Sequence, residues 1–115
     1  MPVTDDFETV MFRLWEERAK QRYPRARAVE PGRFDVSDLF ALDVRISGCL
    51  HTWLFHRDSF GAKHLGTIRV LLPDLERALP DLAEEDNPRL WQLMVQMCRL
   101  VLDKFPPSTT SRGRS

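Results

Sequence analysis

Apolar residues recur along this chain at the three- and four-residue steps of an α-helix in four separate stretches. In the first, Phe7, Val10, Met11, Leu14 and Trp15 fall at i, i+3, i+4, i+7 and i+8, with Asp5 and Glu8 at capping-box spacing. A helix over about 6–22 is expected. Tyr23-Pro24 closes it, because the residue before a proline is pushed out of helical backbone space. A connection from Pro24 to Arg33 follows, with Pro31-Gly32 as a turn signal.

The second stretch, about 37–56, opens near Asp35 or Ser37 as a cap and carries Leu39, Leu42, Ile46, Cys49 and Trp53 on one seam. A strand competes with it over 42–47, where Leu42-Asp43-Val44-Arg45-Ile46-Ser47 alternates apolar and polar. The length of the periodic run favours the helix. The third stretch, Leu65, Ile68, Leu72, Leu75, Leu79 and Leu82, steps by 3, 4, 3, 4 and 3. Pro73 and Pro80 interrupt it, and each should kink or restart the helix; a strand over 67–72 with a short helix opening at Pro73 is the alternative. In the fourth, Asn87-Pro88 reads as a side-chain cap followed by proline at the first helical position. Leu90, Trp91, Met94, Met97, Cys98, Val101, Leu102 and Phe105 then form a broad apolar face over about 88–105, ended by Pro106-Pro107.

These elements predict an all-α, four-helix bundle-like single domain over residues 1–107, with an α+β fold carrying short strands near 42–47 and 67–72 as the alternative. Residues 108–115 contain no apolar side chain and are expected to form a disordered polar tail. A chain of 115 residues buries roughly two-thirds of its unfolded surface, so no metal or disulfide staple is needed and no cofactor is expected.

Helix two carries a second apolar face. Counted from Leu39 at about 100° per residue, its seam lies near 320°, while Phe40, Val44, His51 and Phe55 gather near 100–160°. One stripe suffices for a surface helix, so the second calls for a cover from this chain, a second copy or another protein.

Charge narrows the classes. Seventeen basic residues balance seventeen acidic ones, which removes the net positive charge a dedicated nucleic-acid binder needs. Nucleic acid is therefore not the expected partner. Locally the balance fails: Arg13 to Arg33 holds seven basic and three acidic side chains, and Asp74 to Asn87 six acidic and one basic. Two patches are read from this, a basic one of Arg18, Arg22, Arg25 and Arg27 and an acidic one of Asp81, Glu84, Glu85 and Asp86, placed as opposite poles. No apolar run approaches the roughly 18 residues of a membrane span. Cys49 and Cys98 sit apart in apolar surroundings, with no Cys-x-x-Cys and a polar N-terminus unlike a secretory leader. Reduced core thiols in a cytoplasmic protein are expected. Arginine outnumbers lysine 14 to 3, the usage of a GC-rich, bacterial genome.

Catalytic signatures are missing from the pattern. All three histidines lie in the stretch from His51 to His64, beside Trp53, Phe55, Asp58 and Ser59. His51 and His56 are five residues apart and diverge by about 140° on a regular helix, so they cannot chelate together from one. His56, Asp58 and His64 could share a polar site across the following loop, without any recognised metal-ligand spacing. Ser59, His56 and Asp58 supply the residue types of a hydrolytic triad but no nucleophile elbow. Gly61 to Gly66, containing Lys63, lacks the spacing of a phosphate loop. The expectation is a small protein-interaction module, a homodimer or a binder of another protein of inhibitor or immunity type, working through Phe40, Val44, His51 and Phe55 rather than as an enzyme. A small metal-dependent or hydrolytic enzyme using the His51–His64 cluster is the alternative.

Overall fold

A computed structural model describes residues 6–24 and 36–105. Among these, four α-helices occur and no strand: α1 (Phe7–Ala19), α2 (Val36–Phe55), α3 (Ala62–Ala78) and α4 (Pro88–Lys104). Short 3-10 turns cover Arg57–Ser59, Leu79–Asp81 and Glu84–Asp86. The fold is all-α. Residues 42–47 and 67–72, the alternative strands, lie inside α2 and α3. Alternation over six residues loses to a longer seam: Leu39, Ile46, Cys49, Leu50, Trp53 and Leu54 are all buried, which only a helical repeat can place on one side.

Local signals explain most boundaries, with three corrections. The cap of α1 is Asp6 rather than Asp5, its carboxylate accepting the Thr9 N–H at 2.7 Å. That bond holds the Asp6 carboxyl below its ordinary pKa. Second, α1 stops at Ala19, short of Tyr23-Pro24. Residues 20–24 leave the helix and carry the Tyr23 ring against Phe40 of α2 and Trp91 of α4, at centroid distances of 5.3 and 5.9 Å. Third, Asn87 precedes α4 without capping it: its backbone is left-handed at φ 55° and ψ 72°. Its side-chain amide donates instead to the Arg22 carbonyl at 2.7 Å, tying the end of the α1 segment to the start of α4. Pro88 occupies the first turn, as read from the sequence. Helix α3 continues through Pro73, which is exposed together with Arg69, the residue whose carbonyl loses its donor to the proline. Pro80 sits in the 3-10 turn that ends this segment. The Asp35 cap, the Pro31-Gly32 turn and the tail at 108–115 lie outside the described residues.

Contacts at the two ends of the pairs α1/α4, α1/α2 and α3/α4 show antiparallel packing. Phe7 meets Lys104 of α4 while Arg18 meets Met94, and Arg57, just past α2, pairs with Glu8 while Asp43 pairs with Arg18. Arg69 of α3 donates to the Phe105 carbonyl, and Glu76 pairs with Arg99 of α4. Helix α4 lies along both α1 and α3, and α2 lies along α3. Of the four neighbouring pairs around the bundle, α1 and α2 touch each other least. The four-helix ring is thus closed firmly on three sides and thinly along the α1/α2 edge. Burial follows the same order: α4 buries Leu90, Trp91, Leu93, Met94, Val95, Met97, Cys98 and Val101, whereas α1 buries only Met11. No helix among the described residues is long and apolar enough to cross a membrane.

Candidate interaction face

Because α1 is anchored chiefly on α4, its edge toward α2 is filled by large rings that remain partly in water. Phe12 and Trp15, one turn apart, both lean on Phe55, at 5.5 and 6.3 Å between centroids with steep edge-to-face angles. His51, one turn before Phe55 on α2, lies 4.8 Å from its ring and 6.0 Å from Trp15. These contacts do not finish the burial. Phe55 is 48% exposed and Val44, further along the same stripe, 70% exposed. His51 is exposed as well.

Three of the four residues expected on the second face of α2 therefore share one exposed surface, and the fourth leaves it. Phe40 is half-buried under the stacked ring of Tyr23. The tyrosine hydroxyl donates to Asp43 at 2.7 Å, and Arg18 donates to the other carboxylate oxygen at 2.5 Å. Asp43 is 8% exposed, so this three-residue knot closes one end of the α1/α2 edge with a buried charge pair. Burial, then the hydrogen bond and charge of Asp43, push the Tyr23 phenol above its ordinary pKa, with Arg18 opposing. Trp15 belongs to the periodic stripe of α1 and Tyr23-Pro24 to its expected end, but the pattern along the chain placed none of Phe12, Trp15 and Tyr23 on this face. Phe12 and Trp15 stand at i and i+3 on the rim of the α1 stripe, a spacing that marks an edge pair only once the neighbouring helix is placed.

The charged patches are redistributed by the fold. Arg18 is committed to Asp43 and lies over the Trp15 ring at 5.2 Å, so it is a packing residue and not part of a steering patch. Arg22 is exposed, and Arg25 and Arg27 lie outside the described residues. On the acidic side Asp81, Glu84 and Glu85 are exposed. Asp86 is buried, its carboxylate accepting the Ala83 N–H at 2.9 Å and its carbonyl accepting the Trp91 indole N–H at 2.7 Å. Since Asn87 bonds to the Arg22 carbonyl, the described start of the basic run meets the end of the acidic one. Antiparallel packing of α1 on α4 requires that meeting.

The polar cluster after α2 divides in two. His64 turns inward on the first turn of α3, its Nδ1 accepting the Gly61 N–H at 3.1 Å and its ring stacking on Phe60 at 5.2 Å. That bond takes one of the amides at this helix start. Asp58 and Ser59 are exposed in the 3-10 turn. His56 goes the other way, toward His51. Helix α2 ends at Phe55 and His56 has φ −140° and ψ 55°, so the helical divergence no longer applies and the two imidazoles lie 5.6 Å apart. His56, Asp58 and His64 form no joint site: among the described residues no three His, Cys, Asp or Glu side chains gather in a way that could hold a metal. Arg57 closes the turn, donating to the Trp53 carbonyl at 2.6 Å with its guanidinium 3.8 Å from the centre of the Trp53 ring.

Both cysteines are buried and free. Desolvation pushes the Cys98 thiol up to about 12, with smaller contributions from Cys49 and Glu76; it raises Cys49 too, against a hydrogen bond with Thr67 and the charge of Arg45. Neither is a nucleophile at neutral pH. The chain matches no protein-family model, and no similar curated protein and no similar solved structure is found.

Proposed function

We propose that this chain is a small protein-interaction module that self-associates through the α1/α2 face. One observation carries the reading: α2 buries Leu39, Ile46, Cys49 and Trp53 on one side and yet leaves Val44 and Phe55 largely open on the other, with Phe55 in ring contact with His51 and Trp15. A second copy meeting this face supplies the same surface in return, as a two-fold interface requires. The two free, buried thiols support a reducing compartment, the cytoplasm, as the place where the module works.

Magnitude sets the expected strength. Full burial of a valine or phenylalanine is worth about 1.5–3 kcal/mol, so completing Val44 and Phe55 contributes roughly 2–3 kcal/mol per copy and about 5 for a symmetric pair. Association costs on the order of 4–15 kcal/mol. The aromatic edge of α1 must supply the remainder, and the complex should be weak and concentration-dependent. Light scattering on a sizing column over a wide concentration range tests this directly. Mass should rise toward that of a dimer, and Val44→Asp and Phe55→Asp should each hold the chain as a folded monomer. A single monomer mass at every concentration refutes self-association.

A further inference from the structure

We propose that His51 and His56 form a two-imidazole chelate for a borderline divalent d-block cation, Zn(II) in the first place, at the end of α2. The rings lie 5.6 Å apart at an interplanar angle of 46°, and both residues are exposed. Neither imidazole makes a hydrogen bond among the described residues, whereas the Nδ1 of His64 is occupied by the Gly61 amide. A neutral ring nitrogen with no other partner is the ordinary ligand for zinc, nickel and copper; calcium and magnesium prefer oxygen.

The spacing suits two bonds to one ion. With a Zn–N distance of ~2.0–2.1 Å, the centre of a bound imidazole stands ~3.2 Å from the metal. Rings 5.6 Å apart then subtend ~120° at the ion, near the tetrahedral angle of ~109°. One ring is braced, because His51 lies between Phe55 and Trp15 at 4.8 and 6.0 Å. The other sits on the first non-helical residue, where a small backbone or rotamer adjustment completes the geometry. Two protein ligands leave the remaining positions to water, which makes an exchangeable site and not a closed structural one. Self-association is not required for it.

Calorimetric titration with zinc chloride, paired with NMR of the histidine ring protons, tests the site. One equivalent per chain should bind, shifting the His51 and His56 ring signals and leaving those of His64 in place. Because a chelate needs both rings, His51→Ala and His56→Ala should each weaken binding at least tenfold, and the double variant should lose little more than either. His64→Ala should bind as the parent does. Val44→Asp, which keeps both imidazoles and interrupts the apolar stripe, should retain full zinc affinity, so the site stands or falls apart from the association. Circular dichroism confirms that each variant is folded. Absence of saturable binding, or single variants that keep the parent affinity, would overturn the proposal.

Discussion

Asp43 is the residue on which the α1/α2 edge depends most, and its removal is worth following through. Its carboxylate, 8% exposed, holds Arg18 at 2.5 Å and the Tyr23 hydroxyl at 2.7 Å, and so joins α2 to the far end of the α1 segment. Asp43→Ala strands the Arg18 guanidinium between Met94 and Trp15 without its counter-ion. Breaking a fully buried pair costs about 3–5 kcal/mol, and a surface pair about 0–1. The side chains of Arg18 and Asp43 keep 17% and 10% exposure, so water recovers part of the loss and about 2–3 kcal/mol is expected. That corresponds to a fall in Tm of roughly 10 °C for a domain of this size. Replacing both partners by apolar residues, Arg18→Met with Asp43→Leu, leaves no unpaired charge and should restore most of the stability lost in Asp43→Ala. Urea denaturation of the parent, the two single variants and the pair gives the coupling energy. A cost below about 0.5 kcal/mol for Asp43→Ala, or a double variant equal to the sum of the singles, refutes the account of a buried knot.

Other measurements reach other parts of the molecule. The Tyr23 phenol is raised in the folded state above its ordinary 10.0, so its contribution is complete below about pH 10 and is lost as pH rises past it. Tyr23→Phe should flatten that alkaline loss of stability in urea titrations, and an unchanged slope counts against the Asp43 contact. Cys98, with its thiol at about 12, should stay inert to a disulfide reagent near pH 8 until denaturant is added, whereas reaction at the rate of a free thiol would show that the core opens. Asn87→Gly keeps the left-handed backbone and loses the bond to Arg22, for about 1 kcal/mol; Asn87→Ala adds backbone strain and should cost about 2. Equal costs would mean that the strain contributes nothing.

Much of this architecture was legible along the chain because a helix reports itself locally. The three-four step needs no knowledge of a partner: the buried set Leu39, Ile46, Cys49 and Trp53, or Leu90 through Val101, stands in the pattern before any packing is known. Proline and the short polar residues mark ends by the same local physics, although α1 shows the limit. It stops at Ala19 because Tyr23 is wanted between Phe40 and Trp91, a competition no local rule contains.

The candidate face was half legible. An excess of apolar residues on two sides of α2 singled out Val44, His51 and Phe55, since angular position follows from residue number alone. What covers each of them does not, because covering groups come from distant sequence. Tertiary packing withdrew Phe40 under Tyr23, brought Phe12 and Trp15 onto Phe55, and spent Arg18 on Asp43. It also turned His56 toward His51, a pairing that helical geometry forbids and the end of the helix permits. Sequence determined which surfaces each helix owns; only the fold decided which of them found a neighbour, because burial is a property of pairs of segments and periodicity a property of one.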